Sequence, residues 1–354
     1  MVVRAGREFL AIPGPTTIPD EVLRAMHRPA TDIYSPEMTG MTMKLQADIS
    51  RLFGSSGQTY IYIANGHGAW EAAISNVLSR GDKVLVLESG LFAAGWGRAA
   101  AAMGCDVEVL PGTWQRAVRP AEVEARLRAD SGHTIKAIMV VQVDTAAGVM
   151  NDIGAIGAAI RAAGHPALFM VDAVASLGCM AFEMDAWGVD LAMSAAQKGL
   201  MGPPGLGFVV AGPRAKLAHQ TADLKTPYWE WTARDGDQHY QKYAGTPPIH
   251  LLWALRAALN EPPRRVCARR RCSSSGACSL RRRACAASTC PSRRPGSPRR
   301  VPPAASLTAH MATTARRTRA ACSSQSPLTH ARSRPRRKMW WCATARRRTS
   351  RGWR

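Results

Sequence analysis

Two short apolar runs, each leading to a reactive polar residue, constrain the fold of this chain more than any other feature. The run Ala167–Val171 ends at Asp172, and the run Leu191–Ala196 comes just before Lys198. Apolar runs of this length are typical of strands that are buried on both faces of a parallel sheet. Because ligands bind at the carboxyl ends of such strands, we expect Asp172 and Lys198 to meet at one sheet edge and form a site.

An aspartate and a lysine at one sheet edge suit the chemistry of pyridoxal phosphate. A carboxylate beside the pyridine nitrogen keeps the ring protonated, and a lysine amine holds the aldehyde as a Schiff base and later moves a proton. Taken alone, the same two residues are also compatible with a surface lysine near a core strand and an incidental aspartate. Asp172 and Lys198 therefore indicate a function only together with the residues around them.

The residues around Asp172 and Lys198 favour a pyridoxal phosphate site over an incidental pair. VDAVASLG around Asp172 and SAAQKGLMGPPG around Lys198 resemble the cofactor segment of the class V, fold-type I aminotransferases, in particular the alanine/serine–glyoxylate branch. The resemblance covers about residues 8–260. It implies an enzyme that uses pyridoxal phosphate to move an amino group from alanine or serine to glyoxylate or pyruvate, in a homodimer with shared active sites. A lyase or a racemase that uses the same cofactor stays open as an alternative.

A second segment predicts an anion site. The β-rich run Thr59–Ile63 is followed by the glycine-containing turn 65–71 and by an apolar helix to about Leu78. The free N–H groups at the start of such a helix point at a phosphate, although an ordinary strand–turn–helix has the same pattern. The turn lacks the third glycine of the dinucleotide fingerprint, which argues against a nicotinamide cofactor. By position it resembles the phosphate loop of the family, with His67 where a small residue is usual.

The resemblance also implies a role for each matching residue. Lys198 would carry the Schiff base and Asp172 would pair with the ring nitrogen, which makes these two the catalytic residues. Trp96, in the segment GWGRA, would stack on the ring, and Val174 would pack against the other face. The remaining implied positions are Gly66, His67, Gly68 and Gln197 at the phosphate, Thr145 near the ring, Tyr243 and Thr246 reaching the phosphate of a neighbouring subunit, and Pro13 and Gly14 in a substrate-side loop.

The order of predicted elements indicates an α/β fold. Strands and helices alternate from residue 59 to residue 196, which predicts a mostly parallel sheet with flanking helices and right-handed crossovers. This is the architecture of a fold-type I large domain, assigned to residues 21–260 after an N-terminal substrate-side segment, 1–20. The polar and aromatic segment 228–243 predicts an exposed loop or a partner surface, and Pro247 and Pro248 predict the start of a helix.

The charge of the chain is concentrated in its last part. The 354 residues have a formal charge of +22, but residues 261–354 alone carry +24, from 24 Arg, 1 Lys and the single acid Glu261. This segment holds seven of the nine Cys and has no Ile, Asn, Asp, Phe or Tyr. Such a bias is what a GC-rich gene gives when it is translated out of frame. We therefore interpret residues 261–354 as a disordered basic tail in place of the small C-terminal domain.

Composition also supports other interpretations of the tail and a prediction of where in the cell the protein is located. An arginine-rich tail also binds nucleic acid nonspecifically through counterion release, which is the alternative function of a different class. Seven Cys with His310 and His330 offer zinc ligands, but their irregular intervals contain no C-x-x-C, so no metal site is predicted. Only Cys105 and Cys179 lie before the tail, which is typical of a protein in a reducing compartment. The sequence shows no basic segment followed by an apolar leader and no apolar run of about 18 residues. We therefore expect a cytoplasmic protein without a membrane segment.

Overall fold

The computed structural model describes residues 10–260, and strands alternate with helices through most of this range. The predictions of a disordered basic tail and of a replaced small C-terminal domain concern residues 261–354, which lie outside the described residues. The helices are α1 (Asp20–Met26), α2 (Pro36–Leu52), α3 (Gly66–Val77), α4 (Leu91–Met103), α5 (Pro120–Ala129), α6 (Ile153–Ala163), α7 (Met184–Trp187), α8 (Pro213–Thr221), α9 (Trp231–Arg234) and α10 (Ile249–Asn260), with a 3-10 helix at His239–Tyr243. The strands are β1 (Gln58–Ile63), β2 (Lys83–Leu87), β3 (Asp106–Leu110), β4 (Ile135–Val141), β5 (Val143–Asp144), β6 (Val149–Met150), β7 (Leu168–Asp172), β8 (Leu191–Ala195) and β9 (Leu206–Ala211).

Seven of these strands form one sheet in the order β1-β9-β8-β7-β4-β2-β3. The five strands from β8 to β3 are parallel to one another, whereas β9 and β1 pair antiparallel at the other end. Strands β5 and β6 form a separate two-stranded hairpin. The predicted mostly parallel sheet is therefore confirmed, with β1 in the same direction as these five strands and one of the seven strands, β9, running against the others, which the sequence analysis did not anticipate.

Two apolar layers cover the sheet, one on each face. Strand β4 shows the alternation: Ile138 and Val140 belong to one buried cluster, and Met139 and Val141 belong to the other. Successive side chains of a strand point to opposite faces, so each strand contributes to both layers. Helices α2, α5, α6 and α10 supply the first layer, and α3, α4 and α8 supply the second. Burial on both faces explains why the strands are continuous apolar runs rather than alternating ones.

Most predicted boundaries agree with the structure to within a residue or two, but several local features differ. In α1, Pro19 occupies the N-cap position and Asp20 is the first helical residue. The long helix α2, the strand β9 and the helix α8 were not predicted. Within residues 10–260, no helix combines the length and the apolar character that crossing a membrane requires.

The segment 228–243 is only in part the exposed loop that its polar composition predicted, because Tyr228 and Tyr240 are exposed but buried side chains anchor the segment to the fold. Trp231 is fully buried and Arg234 is 1% exposed. The Arg234 guanidinium donates to the backbone carbonyls of Tyr228, Ile61 and Lys242 at 2.7–3.2 Å. It also lies 4.3 Å from the centre of the Tyr62 ring. These hydrogen bonds satisfy donors of the guanidinium, so the charged group can be buried at this position. Arg234 thus holds the segment against the sheet.

We predict that replacing Arg234 with Met lowers the free energy of unfolding by about 3 kcal/mol, because several buried carbonyls lose their donor at once. The matched control is Arg51→Met, since the Arg51 side chain is 77% exposed and pairs only with Asp48 in its own helix. The control should change stability by less than about 0.5 kcal/mol. Urea denaturation of both variants measures the difference, and equal losses would contradict a special role for Arg234.

Candidate active site

The carboxyl ends of β7 and β8 bring the predicted aspartate and lysine to one cavity. The two strands are parallel neighbours, with Asp172 opposite Met193 in the register. Asp172 is the last residue of β7, and Lys198 lies three residues beyond the end of β8. Both side chains line a cavity of about 230 Å³. The predicted meeting of Asp172 and Lys198 at one edge of the sheet is therefore confirmed.

Asp172 is a buried acid with one hydrogen-bond donor for each carboxylate oxygen. It is 3% exposed. The backbone N–H of Val174 donates to Oδ1 at 2.7 Å, and the indole Nε1–H of Trp70 donates to Oδ2 at 2.6 Å. Burial raises the pKa of Asp172 to about 6; the charge of Asp144 adds to this, and the two hydrogen bonds and Lys198 oppose it. A cationic group in the cavity would stabilise the ionised form of this acid.

Lys198 lies under a loop from the start of the described chain. The backbone N–H of Thr16 donates to the carbonyl of Gln197 at 3.0 Å, and the Thr16 hydroxyl donates to the carbonyl of Lys198 at 3.1 Å. Gly14 has φ of +141°, and a Cβ there would lie 2.5 Å from Lys198 Cδ. Only glycine tolerates both that conformation and that approach. Gly14 thus lines the cavity as predicted, while Pro13 is exposed and is not among the lining residues.

The start of α3 forms the second wall of the cavity. Gly66 and His67 line it, and Gly66 packs so closely that a Cβ would lie 2.9 Å from Val174 Cγ2. Asn65 caps the helix, because its Oδ1 accepts from the N–H groups of His67 and Gly68 at 3.0 and 3.2 Å. Gly68 itself is not among the lining residues, although it was predicted at the phosphate. Its N–H, like that of His67, points back to the cap, so Gly66 offers the N–H of this turn that Asn65 does not take.

A buried polar atom at the cavity tests whether the site fits a phosphorylated cofactor. Gln197 lines the cavity, and its side-chain oxygen is buried without a hydrogen-bond partner among the described residues. Buried polar atoms are normally hydrogen-bonded, so this amide is suited to a polar ligand. The amide lies in the same cavity as the N-terminus of α3, where a helix favours negative charge. The unpaired oxygen is an acceptor and suits a donor group of a ligand, whereas a phosphate would be met by the NH2 of the Gln197 amide and by donors of Gly66 and His67 at the start of α3.

The aromatic residues that line the cavity include Phe92 and Trp70 but not the predicted Trp96. Trp96 is 1% exposed, is not among the lining residues and stacks on Trp70, with ring centres 6.2 Å apart. Phe92 lines the cavity instead. The two positions lie on one face of α4, but Phe92 is one turn nearer the carboxyl edge of the sheet. The sequence analysis also missed Trp70. Trp70 and Phe92 each lie near the start of a helix that follows a strand, and this position was the signal that could have identified them.

Asp144 joins two parts of the cavity wall. Its Oδ2 accepts from the backbone N–H groups of Phe92 and Ala93 at 2.9 and 3.0 Å, and its Oδ1 accepts from Ala146 at 3.2 Å. The carboxylate thus caps the N-terminus of α4, where negative charge is favourable. Thr145, the next residue, lines the cavity as predicted. This one side chain therefore fixes the positions of both Phe92 and Thr145.

Tyr243 and Thr246, which were expected to contact the phosphate of a neighbouring subunit, differ in their exposure to solvent. Tyr243 is 1% exposed, and its hydroxyl lies 2.8 Å from Thr42 Oγ1 within the same chain. Burial and this hydrogen bond place the Tyr243 hydroxyl against Thr42 in the single chain, and its reach across a dimer stays a prediction. Thr246 is exposed and is not among the lining residues. A cross-subunit contact of Thr246 stays a prediction.

Comparison with known proteins agrees with this geometry. The family model for class V aminotransferases matches residues 9–261. The chain is 42% identical over 262 residues to a serine–glyoxylate aminotransferase of Methylorubrum extorquens, covering 72% of this chain and 65% of the relative. It is 38% identical over 259 residues to a serine–glyoxylate aminotransferase of Arabidopsis thaliana, covering 72% and 64%. The chain thus aligns with slightly less than two thirds of the length of these relatives.

A solved structure shows the same fold. The crystal structure of an alanine–glyoxylate aminotransferase from Nostoc sp. superposes with a TM-score of 0.66 at 28% identity, covering 73% of this chain and 68% of that one. The chain belongs to the class V aminotransferase family, whose members use pyridoxal phosphate.

Proposed function

We propose that this protein transfers an amino group from a small amino acid, alanine or serine, to glyoxylate or pyruvate, with pyridoxal phosphate as cofactor. The observation that carries the proposal is the meeting of Asp172 and Lys198 in one cavity at the ends of two parallel strands. Two relatives, at 42% and 38% identity, are serine–glyoxylate aminotransferases, which supports this choice of substrates. The same names favour transfer over the lyase or racemase alternative.

Each polar group of the cavity has a role in this proposal. Bound pyridoxal phosphate supplies an aldehyde for an amine and a ring that accepts electrons. The Lys198 amine would hold the aldehyde and then move a proton at its Nζ. Asp172 would face the ring nitrogen, where its negative charge stabilises a proton on the ring. Gly66, His67 and Gln197 would hold the phosphate.

The apolar residues of the cavity would orient the ring. Phe92 and Val174 both line the cavity, and Val174 packs against Gly66 at the start of α3. We infer that Phe92, rather than Trp96, supplies the aromatic face, since Trp96 is separated from the cavity by Trp70. Apolar faces exclude water, and a dry site strengthens the attraction between Asp172 and a ring proton.

We also propose that the protein forms a homodimer and that it is located in the cytoplasm. The exposed position of Thr246 is compatible with a contact to a second copy. Nucleic-acid binding depends on residues 261–354, which lie outside the described residues, so we propose it only as a nonspecific property of the tail. The enzyme proposal rests on residues 10–260 alone and does not depend on the tail.

We predict that borohydride reduction fixes a pyridoxyl group on Lys198 in the full chain supplied with the cofactor. Peptide mapping by mass spectrometry should find the label on that lysine, and the Lys198→Ala variant should carry none. Lys44→Ala is the matched control, because Lys44 is exposed on α2 and should leave the labelling unchanged. A label on another lysine, or no label in the unmodified chain, would refute the proposed cofactor chemistry.

The titration of Asp172 gives a prediction about stability. Its pKa is raised from 3.8 to about 6, so the folded state binds its proton more tightly than the unfolded state. The contribution of this group to stability is therefore complete below pH ~4 and is lost as the pH rises through ~6. Without cofactor, the free energy of unfolding of the natural chain minus that of Asp172→Asn should fall by about 3 kcal/mol between pH 4 and pH 7.5.

Urea denaturation at the two pH values measures this difference. The subtraction removes the titration of all other groups, including the basic tail, because both chains share them. A difference that stays constant between the two pH values would show that Asp172 does not titrate in this range. Addition of pyridoxal phosphate at pH 7.5 should stabilise the natural chain more than the variant, since a ring cation offsets the buried charge.

We predict slow transamination by the chain in its given sequence. A substrate carboxylate needs a positioned cation, usually arginine, but the cavity-lining residues between 10 and 260 include no arginine. The tail has 24 Arg, none of them in a motif that matches the family. Misplacement by about 1 Å already reduces rates by about 10²-fold.

The assay compares the given chain with one whose codons after position 260 are read in the frame that restores the family pattern. Serine and alanine serve as donors and glyoxylate as the acceptor, and the corrected chain should react at least ~10²-fold faster. Fast, saturable conversion by the given chain would show that the tail supplies a carboxylate site and that the out-of-frame interpretation is wrong.

A further inference from the structure

Trp70 points a hydrogen-bond donor at the acid of the site. Its Nε1–H lies 2.6 Å from Asp172 Oδ2, and the two side chains come from elements 102 positions apart in the chain. Both residues are buried, at 4% and 3% exposure. The backbone N–H of Val174 takes the other oxygen at 2.7 Å. With one donor on each oxygen, from different directions, the plane of the carboxylate is fixed.

The Trp70 ring is itself held on several sides. The His67 ring lies 4.5 Å away, the Trp96 ring stacks on it at 6.2 Å and 18°, and the Phe92 ring contacts it edge-on at 6.5 Å. Aromatic pairs at these separations are favourable and leave the indole little freedom. The direction of the Nε1–H bond is therefore set before any ligand binds.

Helix α3 carries both Trp70 and the cavity residues at its N-terminus. Gly66 and Trp70 are four residues apart, which is about one helical turn, or ~6 Å of rise. Gly66 lies at the proposed phosphate end of the cavity, and Trp70 bonds the acid at the proposed ring-nitrogen end. One rigid element thus sets the distance between the two groups that hold opposite ends of the cofactor.

We propose that Trp70 is a positioning residue that orients the Asp172 carboxylate toward the ring nitrogen of the cofactor. This inference rests on the proposed function, because it needs pyridoxal phosphate in the cavity. Without the indole donor, Oδ2 of Asp172 is free to turn with its carboxylate, and the bond to the ring nitrogen loses its direction. A purely packing role for Trp70 would instead affect every ligand of this shape equally.

The neighbouring Trp96 provides a matched control. It is also a buried tryptophan of the same stack, but its Nε1 has no hydrogen-bond partner among the described residues. Trp70→Phe and Trp96→Phe each remove one indole N–H and part of one ring. Only the first removes a bond to Asp172, so the comparison separates the hydrogen bond from the loss of packing.

The test measures dissociation constants by equilibrium dialysis of the full chain with two ligands. One is pyridoxal phosphate, and the other is its carbocyclic analogue, in which a C–H group replaces the ring nitrogen. We expect Trp70→Phe to weaken the affinity for pyridoxal phosphate about tenfold and that for the analogue less than about twofold. Trp96→Phe should have similar, small effects on both ligands.

The outcomes separate this inference from the proposed function. Failure of the natural chain to bind pyridoxal phosphate would refute the proposed function. Normal binding by the natural chain, with equal effects of Trp70→Phe on both ligands, would overturn the positioning role alone. If Trp70→Phe does not fold, the residue is replaced by the benzothienyl analogue of tryptophan, in which sulfur stands in place of N–H. The same selective, about tenfold loss is then expected, and its absence contradicts the proposal.

Discussion

The parallel pairing of β7 with β8 is the interaction on which the site depends. It places the end of one strand beside the end of the other, so Asp172 and the turn that carries Lys198 open onto the same edge of the sheet. Both strands are buried on both faces, which fixes their register through packing as well as hydrogen bonds. A shift of β8 by one residue would turn its side chains to the opposite faces and move Lys198 away from the cavity.

The surrounding elements stabilise this arrangement by satisfying polar groups that the sheet edge leaves open. Asp144 caps α4 and holds Phe92, while Asn65 caps α3 and leaves its first residues at the cavity. Thr16 bonds to the backbone around Lys198 and brings Gly14 against the lysine side chain. The site is thus built from four separate segments, each attached through backbone hydrogen bonds, and its geometry follows from the fold rather than from flexible surface chains.

The central part of the fold was predictable because its signals are local. The apolar runs before Asp172 and Lys198 predicted two buried strands, and the turn at Gly66 predicted a helix start at the cavity. The exchange of Trp96 for Phe92 was harder to predict, because the two positions share one helix face and only their distance from the start of α4 separates them. The direction of the Tyr243 side chain depends on Thr42, about 200 positions earlier in the chain, so no local pattern reports it.

The burial of Arg234 has a consequence for how the sequence around it can change over evolution. Arg234 bonds to main-chain carbonyls of Tyr228, Ile61 and Lys242, and every amino acid provides such a carbonyl. Substitutions at the acceptor positions therefore leave the hydrogen bonds intact as long as the backbone keeps its path. The constraint on sequence therefore falls on Arg234 itself. The residues around it can be substituted during evolution, whereas the arginine has to be kept.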